Sequence, residues 1–155
     1  MKTSVALERV RGCLLGVAVG DALGLPMEGL AAATITRRYG ALDRFHLLGR
    51  IGVVSDDTEQ TALVAQALSE SVDDDRVVAR FRRHLRWWFA RLPFGIGFAT
   101  LRSSLKLWLG FSRSGVSSGG NGAAMRATII GVVIGDREHR HTLGRRLAEV
   151  THTHP

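Results

Sequence analysis

Apolar residues recur at intervals of three and four along most of the chain, the spacing that places them on one face of an α-helix. The pattern predicts helices over residues 5–22, 34–39, 56–71, 75–91, 98–109, 122–134 and 137–150. In the helix over 75–91 the apolar stripe consists of Val77, Phe81, Leu85 and Trp88. No segment alternates convincingly with a period of two, and the short β-like run Ile51–Val54 does not make a sheet. We therefore expect an all-α fold, a compact helical bundle.

The first predicted helix combines an apolar stripe with a row of glycines. Its stripe consists of Leu7, Val10, Leu14 and Val17. Glycine recurs at every fourth residue from Gly12 to Gly24. Each glycine inside a helix costs about 0.5–1 kcal/mol relative to alanine. The row therefore predicts that another backbone or a ligand approaches closely, and Pro26 should end or bend the segment.

The composition is that of a single globular domain over residues 1–155. Hydrophobic residues make up 45% of the chain, an ordinary fraction, and Cys13 is the one cysteine, so no intrachain disulfide can form. The net charge of +7 has two interpretations, a surface for nucleic acid or another polyanion or an arginine-rich surface without such a partner. Because the arginines are scattered over amphipathic segments, we expect no specific nucleic-acid partner.

A basic N-terminal segment precedes the apolar run Cys13–Val19 and superficially resembles a signal peptide. The run is much shorter than the roughly 20 residues that span a bilayer, and Asp21 follows almost at once. We therefore predict no membrane association. A chain without disulfides also fits a reducing compartment, so we expect a cytoplasmic protein.

The segment Ser55-Asp56-Asp57-Thr58-Glu59 is the first candidate for chemistry. Adjacent carboxylates with flanking hydroxyls offer the hard oxygen ligands that Mg²⁺ prefers. The same residues also suit a helix start, because serine is a good N-cap and acids in the first turn complement the helix dipole. Spacing alone leaves both interpretations open.

Two predicted loops supply further candidates. Glu28 follows Pro26, where a carboxylate can act as a general base or simply be solvated. The glycine-rich segment Ser117–Gly122 precedes a predicted helix, so its backbone N–H groups could bind phosphate. It lacks the lysine of the nucleoside triphosphatase phosphate loop, and a flexible connection is the alternative.

Histidines cluster near the end of the sequence, where His152 and His154 follow His139 and His141. Clustered histidines can bind zinc. A few histidines close to the end of a sequence are also common without any such role, and both interpretations stay open here.

Together these motifs resemble the ADP-ribosylglycohydrolase family, which includes the dinitrogenase-reductase-activating enzymes. The matching segments, in order, are Gly12–Gly16, Gly20–Gly24, Pro26, Glu28, Ser55–Thr58, Gly95–Gly97, Gly119–Gly122, Ala124–Arg126 and Thr151–His152. The resemblance implies an all-α bundle with a two-Mg²⁺ centre. It also implies a hydrolase that removes ADP-ribose from a protein side chain or a small molecule.

The same resemblance implies roles for individual residues. Ser55, Asp56 and Asp57 correspond to metal ligands, with serine where the family usually has threonine. Glu28 and Asp57 correspond to the catalytic carboxylates, Glu28 being the acid placed near the metals and the ribose. The residues that would contact substrate are Gly119, Gly120, Asn121, Gly122, Met125 and His152.

The sequence departs from the family in one larger respect. Family members are roughly twice as long, and their later half supplies an Asp-x-Asp-Thr/Ser motif that completes the metal centre. These 155 residues contain no second motif of this kind, and Asp73-Asp74-Asp75 lies between two predicted helices. We therefore expect an N-terminal half-domain with half of the Mg²⁺ ligands, impaired hydrolysis, and an exposed core face covered by a companion chain or by self-association. The alternative is an inactive remnant or a ligand-binding or structural helical module.

Overall fold

The computed structural model describes residues 2–49, 51–93 and 95–153, with side chains from residue 5 onward. Its helices are α1 (Lys2–Gly24), α2 (Ala32–Tyr39), α3 (Asp56–Glu70), α4 (Asp74–Ala90), α5 (Phe98–Trp108), α6 (Ala127–Val133) and α7 (Arg137–Glu149). Short 3₁₀ turns lie at Leu25–Met27 and Asn121–Ala123. In these three ranges no strand forms, and an isolated bridge joins Val116 to His152. The predicted all-α class is confirmed.

Short polar side chains set the starts of three helices. Ser55 accepts a hydrogen bond from the N–H of Asp57 at 3.4 Å, and Asp73 and Asp136 cap α4 and α7 in the same manner. Such caps satisfy N–H groups that have no partner within the helix. After the C-terminal end of α1, Pro26 lies in the 3₁₀ turn that follows the helix. This is expected, because proline cannot continue a helix.

The core forms around α4, which packs against α3, α5 and α7. The predicted stripe from Val77 to Trp88 is buried throughout. The facing side chains of α3, α6 and α7 are Val64, Ala67, Ile129, Ile130, Leu143 and Leu147. Fully burying a large apolar side chain contributes about 1.5–3 kcal/mol. This cluster therefore fixes α3, α6 and α7 relative to one another, and these helices begin or end at the residues of the candidate site.

One side of α1 packs against α3 and α6, and the predicted stripe of this helix is wrong at its first position. Val10 and Leu14 contact the core, but Leu7 is 65% exposed. Residues 5–9 are all exposed, which shows that the described neighbours of α1 do not cover its first turns.

No atom of the described residues approaches the glycine row of α1 closely, so the predicted approach of another backbone or a ligand is not made within this part of the chain and stays a prediction. A Cβ built at any of its four glycines, Gly12 to Gly24, would meet no atom within 4 Å. Leu15 and Val19 are exposed beside the row. We call the surface formed by the row, Leu15 and Val19 the α1 outer face.

α1 and the turn after it also satisfy a simple criterion for membrane helices. The segment Val5–Met27 has 23 residues, and an 18-residue stretch within it has a mean hydropathy of 1.4 with only 11% of that stretch buried. Length and composition alone would let it cross a bilayer. A signal sequence or a core helix satisfies the same criterion, so the finding is weak evidence for a membrane.

α6 starts five residues later than predicted. The N–H groups of Ala124 and Met125 both bond to the carbonyl of Asn121, at 2.9 and 3.2 Å. Residues 121–125 therefore close a tight turn before the helix begins. The hydroxyl of Thr61 in α3 donates to the Asp57 carbonyl at 2.7 Å and lies 3.1 Å from the Met125 carbonyl, with which it shares its proton. Arg126 enters the core with 1% of its surface exposed.

Candidate active site

The N-terminus of α3 is tied to α1 through the side chain of Asp21. Its Oδ1 accepts from the Ser55 hydroxyl at 2.8 Å. Its Oδ2 accepts from the N–H groups of Ser55 and Thr58, at 2.8 and 3.2 Å, and from the Thr58 hydroxyl at 2.5 Å. Hydrogen bonds to an ionised group are stronger than neutral ones. Asp21 therefore fixes the segment that carries Asp56 and Asp57.

Asp56 is buried in the first turn of α3. Its Oδ2 accepts from Nε2 of Gln60 at 3.0 Å. Burial and the neighbouring charge of Asp57 raise the pKa of Asp56 to about 6, although a hydrogen bond from the Gly97 backbone acts in the opposite direction. The ionised carboxyl is thus poorly stabilised by the surrounding protein, and a bound cation would stabilise it.

Two further carboxyls lie within electrostatic reach of Asp56. Burial, and then the charge of Asp21, raise the pKa of Asp57 above its ordinary value. Partial burial, followed by the charges of Asp57 and Asp21, raises the pKa of Glu28, which lies in the exposed turn after α1. The site brings several negative charges close together, and the charges of Asp21 and Asp57 contribute to the raised pKa values.

One cavity of about 400 Å³ brings most of the predicted site together. The predicted residues that line it are Glu28, Asp56, Asp57, Gly120, Asn121, Gly122, Met125 and His152. Two others lie outside the lining, since Ser55 is buried against Asp21 and Gly119 is exposed. The lining residues come from the turn after α1, the start of α3, the glycine loop and the segment after α7. The fold therefore converges parts of the sequence that are far apart.

The segment before α5 and the first turn of α5 also line the cavity, which the sequence analysis did not predict. Their residues there are Gly95, Gly97, Phe98, Ala99 and Thr100. Gly95 has a φ of +79°, and a Cβ built on it would lie 3.2 Å from Cβ of Ser55. A side chain at Gly95 would therefore be strained and crowded. Gly95 and Gly97 precede a predicted helix, and this pair was the sequence signal for this side of the cavity. The sequence analysis gave the pair no role.

His152 closes the cavity against the glycine loop. A Cβ built at Gly122 would lie 2.5 Å from Cε1 and 3.1 Å from Nε2 of His152, and one at Gly120 would lie 3.6 Å from Nε2. The ring edge formed by Cε1 and Nε2 therefore faces the loop. Only glycine at Gly122 lets the backbone approach the ring this closely.

A buried chain of hydrogen bonds joins Asp56 to His152 through the core. Gln60, which donates to Asp56, accepts from Nη1 of Arg126 at 2.7 Å. Nη2 of Arg126 donates to the Thr151 hydroxyl oxygen at 2.6 Å, and that oxygen lies 2.8 Å from Nδ1 of His152. Burial lowers the pKa of Arg126 to about 10, against the opposing effect of Asp56. We call this series the Asp56–His152 chain.

Sequence reasoning gave no role to Asp21, Gln60 or Arg126. The available signals were an acid inside an apolar helix and an arginine at the start of an apolar run. Those signals mark unusual residues without naming their partners. Asp21 bonds to a residue 34 positions away, and Arg126 to one 66 positions away, and such pairs are decided by helix packing.

The oxygen donors suit a hard divalent cation in kind, but not in number. Glu28, Asp56 and Asp57 offer carboxylates whose mutual repulsion a cation would relieve. Across the described ranges, no three His, Cys, Asp or Glu side chains are grouped closely enough to hold a metal ion. Because Mg²⁺ requires near-octahedral oxygen coordination, these residues alone would supply only part of its ligands.

The histidines near the end of the sequence do not gather into a zinc site within the described residues. Nε2 of His139 lies 2.8 Å from Asp74 and pairs α7 with α4. His152 lies in the cavity, and His154 falls outside the residues that the structure describes. The geometry therefore separates His152 from His139.

A larger cavity of about 900 Å³ shares His152 with the first. Its charged lining residues are Arg82, Arg113, Arg145, Arg146 and Glu149. This lining lacks a pair of carboxylates, so the smaller cavity is the better candidate for metal-assisted chemistry.

Comparison with known proteins gives the family of the chain. The family model for ADP-ribosylglycohydrolase matches residues 2–155. The chain belongs to the ADP-ribosylglycohydrolase family. The matched residues 2–155 include every residue that lines the cavity.

Two curated relatives are similar to the chain. A protein of Archaeoglobus fulgidus, described only as an uncharacterized protein, is 37% identical over 134 residues, which are 81% of this chain and 43% of the relative. The ADP-ribosyl-[dinitrogen reductase] glycohydrolase of Rhodospirillum rubrum is 29% identical over 157 residues, which are 96% of this chain and 52% of the relative. The chain spans about half the length of the curated relatives it matches.

Proposed function

We propose that the chain forms the substrate-facing part of an Mg²⁺-dependent hydrolase that removes ADP-ribose from a protein side chain or a small molecule. The observation that carries this proposal is the single cavity in which Glu28, Asp56 and Asp57 meet the Gly120–Gly122 loop and His152. Family membership supports the reaction class. The name of the R. rubrum relative supports a protein as the carrier of ADP-ribose.

Glu28 is our candidate for the general base. Its raised pKa makes it a stronger base than an ordinary glutamate, and its position at the cavity rim gives it access to water. As the water oxygen bonds to the anomeric carbon, Glu28 takes a proton from that water and the glycosidic bond breaks. Glu28 then gives this proton to the leaving side chain, so the products are ADP-ribose and the free side chain.

Asp56, Asp57 and the Ser55 hydroxyl are our candidates for Mg²⁺ ligands. The Ser55 hydroxyl donates to Asp21 and accepts from the N–H of Asp57, which leaves its oxygen one lone pair. When bound, Mg²⁺ neutralises charge and acts as a Lewis acid.

We further propose that these 155 residues by themselves hold the ion weakly, because their donors approach it from one side. A misplacement of about 1 Å at a reacting centre can cost on the order of a hundredfold in rate. Hydrolysis by this chain alone should therefore be poor.

The test measures ADP-ribose release from an ADP-ribosylated peptide with and without Mg²⁺. The variant Asp56→Ala/Asp57→Ala removes two acids from the first turn of α3. Its matched control, Asp74→Ala/Asp75→Ala, removes two acids from the first turn of α4. We expect slow, Mg²⁺-dependent release by the unmodified chain and the control, and none above background by the test variant. Equal release by all three would contradict the proposal.

The proposed weakness of the metal site has its own test. The part of the R. rubrum relative that lies beyond the region of similarity is added as a separate polypeptide. We expect release to rise at least tenfold, with no rise for Asp56→Ala/Asp57→Ala. Unaided release as fast as that of the full-length relative would show that the chain completes its own site.

A ligand-binding module without turnover is the second candidate, and the one-sided set of metal donors favours it. Calorimetric titration with ADP-ribose separates the two. Binding without release under every condition above would support the module, and release that depends on Asp56 and Asp57 would support the hydrolase.

A further inference from the structure

The imidazole of His152 is held by neighbours whose hydrogen-bonding capacities can be counted. Nδ1 lies 2.8 Å from the hydroxyl oxygen of Thr151. The same oxygen lies 2.6 Å from Nη2 of Arg126. A guanidinium only donates, so the Thr151 oxygen is the acceptor in that bond. The open question is which atom receives the hydroxyl proton of Thr151.

Among the described residues, two acceptors form hydrogen bonds with the Thr151 hydroxyl, and one of them is already occupied. The carbonyl of Ala148, 3.4 Å away, accepts from the backbone N–H groups of Thr151 and His152 at 3.0 and 2.9 Å. A carbonyl oxygen has two lone pairs, and these bonds use both. The hydroxyl proton therefore points to Nδ1 of His152, the closer acceptor, which must then carry no proton of its own.

We propose that Arg126 and Thr151 fix His152 as the neutral tautomer with its proton on Nε2. In this state the histidine presents a hydrogen-bond donor to the cavity, where it selects an acceptor oxygen on the bound ligand, and it does not serve as a base. The identification of that ligand as an ADP-ribosyl group rests on the proposed function, whereas the tautomer rests on the hydrogen bonds alone.

The surroundings of His152 agree with a neutral ring. Burial, and then the charge of Arg126, lower the pKa of His152 below its ordinary value. The edge that holds Nε2 faces the glycine loop. The ligand atom that meets it there must accept a hydrogen bond, as phosphate, hydroxyl and carbonyl oxygens do.

The test reads the tautomer directly by ¹H–¹⁵N NMR of the imidazole nitrogens in the full 155-residue chain near neutral pH. The chain contains six histidines, so His152→Gln identifies the signals of His152. We expect Nε2 to be protonated and Nδ1 unprotonated. Protonated Nδ1 with unprotonated Nε2, or a doubly protonated ring, would overturn the proposal.

Two variants of Thr151 separate the hydroxyl from the fold. Thr151→Val keeps the shape but removes the hydroxyl, and Thr151→Ser keeps the hydroxyl. Thermal unfolding verifies that both are folded. We expect Thr151→Val to give a mixture of tautomers and Thr151→Ser to retain the Nε2–H form. A single Nε2–H form in Thr151→Val would show that the hydroxyl does not set the tautomer, which contradicts the proposal.

Calorimetric titration with ADP-ribose then connects the tautomer to binding. We expect Thr151→Val to weaken binding about tenfold, roughly the value of one hydrogen bond of about 1.4 kcal/mol, and Thr151→Ser to bind within about threefold of the unmodified chain. Equal affinity of Thr151→Val and the unmodified chain would overturn the donor role. The expected tautomers without ADP-ribose binding by any chain would support the tautomer and overturn the proposed ligand.

Discussion

At Gly122 a single added methyl group would crowd a residue of the candidate site, His152. A Cβ there would lie 2.5 Å from Cε1 of His152, and the ring is fixed on its other side by Thr151. We expect Gly122→Ala to lower the free energy of unfolding by about 1–3 kcal/mol, as overpacking in a filled region does. Chemical denaturation measures this change.

Gly119 supplies the matched control in the same loop. A Cβ there would meet no described atom within 4 Å, so Gly119→Ala should change stability by less than about 0.5 kcal/mol. Equal effects of the two substitutions would mean that His152 does not lie against Gly122.

Asp21 gives a second prediction for a single residue. Asp21→Ala removes four hydrogen bonds from Ser55 and Thr58, and we expect a loss of at least about 2 kcal/mol in the free energy of unfolding. Asp21→Asn should lose less, because its amide oxygen can keep the three bonds now made to Oδ2. Asp43→Ala, which alters an exposed ion pair with Arg44, is the control and should have little effect. Equal losses for Asp21→Ala and Asp43→Ala would contradict the role of Asp21.

The residues that sequence reasoning could predict are those whose type and local position reveal their chemistry. Asp56 and Asp57 are adjacent acids at a helix start, and Glu28 is an acid directly after a helix ended by proline. The Asp56–His152 chain was beyond that reasoning, because Gln60 and Arg126 meet only where α3 packs against the segment before α6. The sequence around each of these residues does not predict that packing.

The first turn of α3 makes stability depend on pH. The pKa of Asp56 is about 6 in the folded protein, above its ordinary value of 3.8. Between these values the folded protein binds more protons than the unfolded chain, so stability falls as pH rises through the window. Raised pKa values at Glu28 and Asp57 act with the same sign.

We therefore expect Asp56→Asn to lose less stability than the unmodified chain between about pH 4 and pH 7. Near neutral pH and without divalent metal, the variant should be the more stable of the two. Urea denaturation in the presence of a chelator measures both curves. Parallel curves would show that Asp56 titrates as an ordinary exposed carboxyl.

Helix boundaries were predicted best where a cap or a proline marks them. α3 begins at Asp56 as predicted, and α4 begins at Asp74, one residue earlier than predicted and directly after its Asp73 cap. The start of α6 was missed because the apolar run continues through Met125, while the bonds of Asn121 and Thr61 hold a turn there. The stripe of α1 was extended too far, since periodicity does not report where a neighbouring helix ends.

At the scale of the whole molecule, the α1 outer face is one of the exposed apolar surfaces of the described residues. We propose that a companion chain or a second copy covers it, since exposed apolar patches of this kind mark interaction sites. We expect sedimentation to show association that grows with protein concentration and that Leu15→Lys/Val19→Lys weakens. Val72→Lys, at a side chain 99% exposed elsewhere, is the control. A monomer at every concentration would contradict self-association.

The one-sided packing of α1 has a consequence for local unfolding. Its residues 5–9 are all exposed, whereas Val77, Phe81 and Leu85 of α4 are completely buried, and segments with few buried apolar contacts open at the lowest free energy. Backbone amide hydrogens in the first half of α1 should therefore exchange with solvent far faster than those of α4. Protection should begin near Val10 and Leu14, which contact the core, and should be strongest near Asp21, whose four hydrogen bonds fasten the end of α1 to α3. Any polypeptide that covers the α1 outer face should slow exchange in α1 while leaving α4 unchanged, which makes amide exchange a reporter for that contact.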